Sequence, residues 1–212
     1  MSIPNDRRTR KRLVTRQSIS DAATRLFMER GFDNVTVEEI AEAADVGRKT
    51  VFNHFARKED MFFDLDDQAR NDMRAALLVR GGQTGLVETL RLFAHAAVTE
   101  QRPYIHFFEG VEEFVKTAMA SEALKARARS IRDELTAAVA EALSSAAGST
   151  DIDSNASLAA SLVVSTWSVA YLEAHRIFRE QRDAEKAKSM FLAIVDRGSL
   201  GLNAAMEGTP YA

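Results

Sequence analysis

Three side chains that can read DNA bases lie close together in one short stretch of the sequence. Arg48 and Lys49 can donate to the acceptors of guanine, and Asn53 can pair with adenine through its amide. They follow a glycine-containing turn at 45–47 and belong to the second of two short helical patterns. Two short helices joined in this way present one helix to the major groove. The spacing therefore predicts a helix-turn-helix that contacts double-stranded DNA.

Hydrogen-bond donors suited to phosphate surround this stretch. They are Thr36, Thr50, His54 and Lys58. Helix N-termini add backbone amide donors. A basic run near the N-terminus includes Arg10 and Arg12, and arms of this kind track phosphates or enter the minor groove. The alternatives are a helical hairpin with a solvated basic face, and arginines that solvate a frayed end.

Apolar periodicity predicts the helices that position these side chains. The first helix carries one apolar stripe, formed by Ile19, Ala22, Ala23, Leu26 and Phe27. It is predicted to end at Gly31, a residue favoured just past a helix. Thr36 and Glu39 have the spacing of a capping box at the start of the second helix. The third helix is predicted to end near Phe55, and a fourth to run from Lys58 to about Val79.

The charge of the chain is unevenly distributed. Through residue 58 there are 12 Lys and Arg against 8 Asp and Glu, and the remainder has 16 against 23. A basic first quarter on an acidic body predicts a polyanionic partner at one end. The sequence has no cysteine, which excludes disulfides and thiolate metal sites. It also has no apolar run of about 18 residues, so we expect a cytoplasmic protein without a membrane partner.

The rest of the chain is predicted to be helical as well, because it shows helical periodicity and few prolines. The expected fold is all-α, with a DNA-binding domain at 1–58 and a helical bundle at 59–212, about nine helices in total. The final helix, predicted at 184–205, carries an apolar stripe and two small residues, Gly198 and Gly201. The members of the stripe are Ala187, Met190, Phe191, Ile194, Val195, Gly198, Leu202 and Ala205. We expect a homodimer through the last two helices; the alternative is that the stripe closes the core of the monomer.

Aromatic and imidazole side chains recur in two segments of the bundle. Trp167, Tyr171 and His175 are spaced by four and share one helix face. With Tyr104, His106 and Phe107 from another segment, they could line an apolar pocket that has a few polar tips. The alternative is that they are core aromatics whose polar ends reach a partner.

Catalytic and metal-binding motifs are absent from the sequence. There is no G-x-S-x-G, no phosphate-binding glycine loop and no H-E-x-x-H. No pair among His95, His106 and His175 has metal-site spacing on one helix. We therefore expect no catalytic residue, no metal and no cofactor. A helical-bundle enzyme with an incidental basic arm is the alternative from another class of protein.

The first 60 residues also resemble a known family. The stretch TVEEIAEAADVGRKTVFNHFARKED, at 36–60, resembles the helix-turn-helix signature of TetR-family transcriptional regulators. The preceding ISDAATRLFMERGFDNVT is similar to the first helix and Gly-Phe turn of that family. The resemblance implies phosphate contacts from Thr36 and Lys58, and base reading by the variable positions Arg48, Lys49 and Asn53. Two residues depart from the family pattern: Gly47 stands in place of the usual Ser or Thr cap, and Phe52 in place of the usual Tyr.

This resemblance implies a function for the whole chain. We expect a dimeric, ligand-responsive transcriptional regulator, predicted to be a repressor that a small, largely apolar effector releases from a near-palindromic operator. The alternative is a constitutive nucleic-acid-binding or architectural protein without an effector.

Overall fold

Helices account for nearly all regular structure in the protein. The computed structural model describes residues 7–79, 84–105, 107 and 110–212, and within them it contains ten α-helices and a short 3-10 helix at Phe32–Asn34. The helices are α1 (Arg7–Arg30), α2 (Val37–Ala43), α3 (Arg48–His54), α4 (Glu59–Phe62), α5 (Asp66–Val79), α6 (Leu86–Thr99), α7 (Val111–Ala120), α8 (Glu122–Ala146), α9 (Ser154–Gln181) and α10 (Ala184–Ala205). The predicted all-α fold is confirmed.

One compact unit comprises the described residues up to 64 together with 113–127. The apolar stripe of α1 supplies its centre, because Ile19, Ala23 and Phe27 are fully buried. Its core also takes in Phe32, Val35, Ile40, Ala41, Val51, Phe55, Met61, Phe62 and Leu124. The first helix therefore packs as its periodicity predicts, with α2, α3 and α4 against the same stripe.

The helix predicted from Lys58 to Val79 is in fact two helices, α4 and α5. Met61 and Phe62 are buried, Phe63 is half-buried, and all three contact the core of the first unit. Three successive residues on one straight helix point in directions about 100° apart, so they cannot all face one core. The chain therefore leaves helical geometry at Phe63, whose ψ is 42°.

The basic N-terminal segment is helical where the structure describes it. Helix α1 already includes Arg7, so Arg10 and Arg12 lie in its first two turns rather than on an extended arm. Both side chains are exposed. Residues two apart on a helix differ by about 200° in direction, so these two arginines cannot both face one groove. The part of the predicted basic arm that the structure describes is therefore the start of a helix.

The second compact unit comprises residues 65–112 and 128–212. Helices α9 and α10 form its main pair and are joined by a tight turn in which Arg182 is left-handed, with a φ of 52°. The two helices approach closely at Gly198. A Cβ placed there would lie 2.2 Å from Cγ2 of Thr166 on α9, so only glycine fits.

The apolar stripe of α10 faces the core of its own unit. Ala187, Phe191, Val195 and Leu202 are all buried. These four members of the stripe pack within the chain, as the alternative expects, while the homodimer through the last two helices stays a prediction. By contrast, a Cβ at Gly201 would meet nothing within 4 Å.

An exposed apolar stripe runs along another face of α9. Its members are Leu158, Leu162, Val169 and Leu172, which are 47%, 36%, 57% and 65% exposed. Their spacing of four, seven and three keeps them on one side of the helix. Helix α9 is also, by length and composition alone, the one described helix that could cross a membrane, although only 33% of its most apolar segment is buried.

Candidate functional site

The turn between α2 and α3 is built by local hydrogen bonds. The predicted capping box is present, because the Thr36 hydroxyl accepts from the Glu39 amide at 3.3 Å and Glu39 Oε2 accepts from the Thr36 amide at 2.8 Å. Helix α2 ends in a left-handed residue, Asp45, whose φ is 52°. The Val46 amide then donates to the Ala41 carbonyl at 2.9 Å, which closes the turn.

Helix α3 separates an inward apolar face from an outward polar one. Val51 is fully buried and Thr50 and His54 are half-buried. The exposed residues of the helix are Arg48, Lys49, Phe52 and Asn53. No acidic side chain occurs within α3. The three predicted base-reading residues are therefore exposed on one short helix, together with a phenyl ring.

The Arg48 guanidinium is held by two neighbours in the absence of DNA. Its Nη1 lies 2.9 Å from Oε1 of Glu38, and its central carbon lies 5.5 Å from the centroid of the Phe52 ring. Both partners of the ion pair are exposed, so the pair contributes at most about 1 kcal/mol and DNA can replace it. Sequence reasoning gave no role to Glu38, although its position at the start of α2 places it near the start of α3.

The end of α3 rests on a basic part of α1. Arg16 donates from Nη1 to the His54 carbonyl at 2.7 Å and lies 4.1 Å from the centroid of the Phe55 ring. Burial, together with the charges of Arg12 and Arg16, lowers the pKa of His54. The imidazole is therefore neutral at pH 7 and would reach phosphate as a neutral donor. Arg16 was missed in the sequence, although it extends the apolar stripe of α1 by one turn.

Lys58 is directed into the domain. Its ammonium donates to the carbonyls of Phe32 and Val35, both at 2.9 Å, and lies 4.1 Å from the centroid of the Phe32 ring. An ammonium has three donors, so one N–H remains for a phosphate. Lys58 thus ties the segment after α3 to the 3-10 helix, a role that the sequence did not indicate.

Glu39 joins the capping box to α1. Arg30 donates to Oε1 of Glu39 at 2.6 Å. The hydrogen bond from the Thr36 backbone, followed by those from the Arg30 and Thr36 side chains, lowers the pKa of Glu39 to about 2. The Thr36 hydroxyl also donates to Glu39, at 2.8 Å. A phosphate bound at this helix start would therefore accept hydrogen bonds from the free backbone amides rather than from the Thr36 hydroxyl.

The aromatic residues of the second unit form one packed cluster. Trp167 stacks on Phe93 at 5.7 Å between ring centroids and meets Phe191 edge-on at 5.9 Å. Tyr171 meets His175 edge-on at 4.1 Å, and Phe107 lies 4.9 Å from the His175 ring. The structure thus brings together Phe107, Tyr171 and His175, while Trp167 serves as a packed wall beside them.

His175 is a buried imidazole whose side chain is 8% exposed. Among the residues that the structure describes, neither Nδ1 nor Nε2 has a hydrogen-bond partner. Burial alone lowers the pKa of His175 to about 4 and raises that of Tyr171 to about 12. Both groups are neutral at pH 7. A buried polar atom without a hydrogen bond costs about 1–3 kcal/mol of folding stability, so a ligand group that bonds to this imidazole would recover that free energy.

The other two predicted effector residues lie differently. The Tyr104 hydroxyl donates to Asp72 Oδ2 at 2.9 Å, and burial together with this bond raises the pKa of the phenol. His106 lies outside the described residues. His95 Nε2 lies 2.7 Å from Asp196 Oδ1 and 3.2 Å from the Arg91 guanidinium, so it belongs to a separate ion-pair network. In the part of the chain that the structure describes, no three His, Asp or Glu side chains could hold a metal.

Helices α2 and α3, with the outward polar face of α3, have the arrangement of a helix-turn-helix domain. Residues 19–65 match the family model described as bacterial regulatory proteins, tetR family. The likeness to this family therefore lies in the N-terminal helix-turn-helix domain.

Characterised relatives are similar to this chain at the DNA-binding end. The HTH-type transcriptional repressor AcnR of Corynebacterium glutamicum is 40% identical over 78 residues, 36% of this chain and 39% of that protein. The HTH-type transcriptional regulator TcmR of Streptomyces glaucescens is 40% identical over 73 residues, 34% of this chain and 32% of that protein. The matches thus span about two-fifths or less of each relative. Both relatives are transcriptional regulators rather than enzymes.

Solved structures share the fold over most of the chain. NalD, the secondary repressor of the MexAB-OprM multidrug efflux pump in Pseudomonas aeruginosa, has a TM-score of 0.54 and 20% identity, and the match covers 88% of this chain and 97% of NalD. The SmeT–triclosan complex has a TM-score of 0.55 and 18% identity, over 89% of this chain and 91% of SmeT. These likenesses confirm the helical fold beyond the N-terminal domain.

Proposed function

We propose that this protein is a cytoplasmic transcriptional repressor that binds a near-palindromic operator as a homodimer and is released by a small effector. The observation that carries the proposal is the outward face of α3, where Arg48, Lys49 and Asn53 are exposed over a buried Val51. We assign DNA binding to residues 1–58, and sensing and dimerisation to 59–212. The relatives AcnR and NalD, both named as repressors, support the sign of regulation.

Recognition divides between base edges and phosphates. Arg48 and Lys49 suit guanine and Asn53 suits adenine, each well-made pair contributing about 1–3 kcal/mol of discrimination. Phosphate contacts are assigned to Thr50, His54 and the backbone amides at the start of α2. One of Arg10 and Arg12 is assigned a phosphate contact as well. These contacts hold the helix in register but carry no sequence information. Lys58 adds its one remaining donor while it anchors the domain.

The dimer is proposed to form through α9 and α10. The exposed stripe of α9 supports this, because a patch of four large apolar residues on one helix face is typical of a surface that binds a partner. On α10, Leu200 is 72% exposed and the adjacent Gly201 has open space around it. A two-fold interface would set two recognition helices about 34–36 Å apart, one turn of DNA.

The effector is proposed to bind at the cluster of Phe107, Tyr171 and His175. The nitrogens of His175 have no hydrogen-bond partner among the described residues, which supports this site, since a neutral imidazole offers one donor and one acceptor to a ligand. The surrounding rings would bury an apolar body. A neutral molecule with one hydroxyl or amide group fits this lining.

Selection of bound sequences from random DNA tests the regulator proposal. The full chain should enrich one near-palindromic sequence. In a plot of the logarithm of the binding constant against the logarithm of the salt concentration, each neutralised phosphate should contribute about −0.9 to the slope. Asn53→Ala should relax one base position per half-site, at a cost of about 1–3 kcal/mol. Asn71→Ala, an exposed asparagine on α5, is the matched control and should leave the operator unchanged. Equal effects of the two variants would refute the assignment of α3.

A second experiment separates a sensor from a constitutive DNA-binding protein. The single tryptophan, Trp167, reports on ligands near Tyr171. Triclosan, the ligand of the solved SmeT complex, is a suitable first probe within a panel of small apolar alcohols and phenols. A compound that quenches Trp167 should also lower operator affinity, by a coupling of about 1–3 kcal/mol. Tyr171→Ala should weaken both effects. Compounds that bind without changing operator affinity would favour the constitutive alternative.

A further inference from the structure

Phe52 is an exposed apolar residue on an otherwise polar helix face. Its side chain is 43% exposed. It lies one turn after Arg48, whose guanidinium carbon is 5.5 Å from the ring centroid. Glu38 holds the other side of that guanidinium at 2.9 Å. The ring is therefore displayed beside a base-reading arginine and is not part of the core.

A phenyl ring in the major groove has one kind of partner among the base edges. It offers no hydrogen bond to a phosphate or to a base, whereas the 5-methyl group of thymine is the apolar feature that the groove presents. Burial of that methyl group against the ring removes apolar surface from water on both sides. Contact with a sugar is the competing possibility, and it would not depend on the base.

We propose that Phe52 is a specificity-determining residue that reads a thymine methyl group next to the guanine read by Arg48. This inference rests on the proposed role of α3 as the recognition helix. Arg48 and Phe52 are four residues apart on one helix, where Cβ atoms lie about 5–6 Å apart. With a rise of about 3.4 Å per base pair, this spacing corresponds to one or two base-pair steps. The operator half-site therefore contains a thymine within two base pairs of the guanine.

Removal of single methyl groups from the operator tests the inference. The full chain first selects its sequence from random DNA, and each thymine of that duplex is then replaced by deoxyuridine, which lacks only the methyl group. One thymine per half-site should be sensitive. The loss should be about fourfold in Kd for one half-site, and about 15-fold when both are replaced, since one methyl group corresponds to about 0.8 kcal/mol.

Two variants connect that thymine to Phe52. Phe52→Ala should bind the thymine and deoxyuridine duplexes equally, whereas Phe52→Leu keeps an apolar contact and should retain most of the difference. Phe52 is exposed, and unchanged thermal unfolding of each variant verifies its fold. Replacement of single guanines by 7-deazaguanine, which lacks the N7 acceptor, locates the guanine of Arg48; it should fall within two base pairs of the sensitive thymine.

The outcomes separate this inference from the function on which it rests. A selection that enriches no sequence overturns both. A selected operator in which no methyl group affects Kd overturns the inference alone, as does a methyl effect that persists in Phe52→Ala. A sensitive thymine more than two base pairs from the guanine located by 7-deazaguanine also overturns it.

Discussion

The buried imidazole of His175 predicts that the second unit loses stability in mild acid. Its pKa lies at about 4, against 6.5 for an exposed histidine, because burial penalises the charged form. Below pH 6.5 the unfolded chain binds a proton that the folded chain does not accept until the pH falls through about 4. The stability that depends on the neutral imidazole is therefore fully present above pH 6.5 and is lost as the pH falls from 6.5 to about 4.

The magnitude follows from the two pKa values. A difference from 6.5 to about 4 corresponds to about 3 kcal/mol over the full window, of which about 2 kcal/mol is lost by pH 5. His175 is 8% exposed, so solvent screens little of this effect. Tyr171, whose pKa is raised to about 12, stays neutral throughout the window and adds nothing. The loss is a large fraction of the 5–15 kcal/mol that is typical for folded domains.

Urea unfolding followed by Trp167 fluorescence measures this loss, because Trp167 lies in the same aromatic cluster. His175→Leu and His175→Gln both remove the titration, so each should flatten the dependence of the unfolding free energy on pH between 6.5 and 4. Leu should also stabilise the protein at pH 7 relative to Gln, because it leaves no buried polar atom unpaired. A wild-type curve that runs parallel to both variants would refute a buried neutral imidazole.

Further predictions concern packing and capping. Gly198→Ala should destabilise the protein by about 1–3 kcal/mol through overlap with Thr166, whereas Gly201→Ala should stabilise the chain by up to about 1 kcal/mol, as measured by urea unfolding; equal effects would contradict the packing of α9 on α10. Lys58→Ala should cost about 1.5–3 kcal/mol of stability by removing charge-assisted bonds to two carbonyls, and an unchanged melting temperature would argue against that anchor. Burial raises the pKa of Asp64, so the protonated side chain stabilises the folded state below pH 3.8, and this stabilisation is lost as the pH rises. Asp64→Asn should therefore raise the melting temperature at pH 7. A gain in melting temperature that persists at low pH would contradict this.

Local sequence determined the elements that carry the DNA-binding face. The stripe of α1, the Thr36–Glu39 capping box and the inward Val51 depend on spacings of three and four residues within single helices. Because these rules are local, the outward placement of Arg48 and Asn53 also followed from the sequence. The break between α4 and α5 did not, since it depends on three successive apolar side chains sharing one core.

Only the tertiary structure decided where long or apolar side chains find their partners. The ammonium of Lys58 could have extended into solvent, but two carbonyls made available by the 3-10 helix lie within its reach. Periodicity identified the apolar stripe of α10 but not the surface that covers it; packing against α9 and α6 buries that stripe and leaves the stripe of α9 exposed instead. Likewise, spacing by four placed Tyr171 and His175 on one face, whereas the hydrogen bonding of the imidazole depends on every residue that surrounds it, and none of the described ones is a partner.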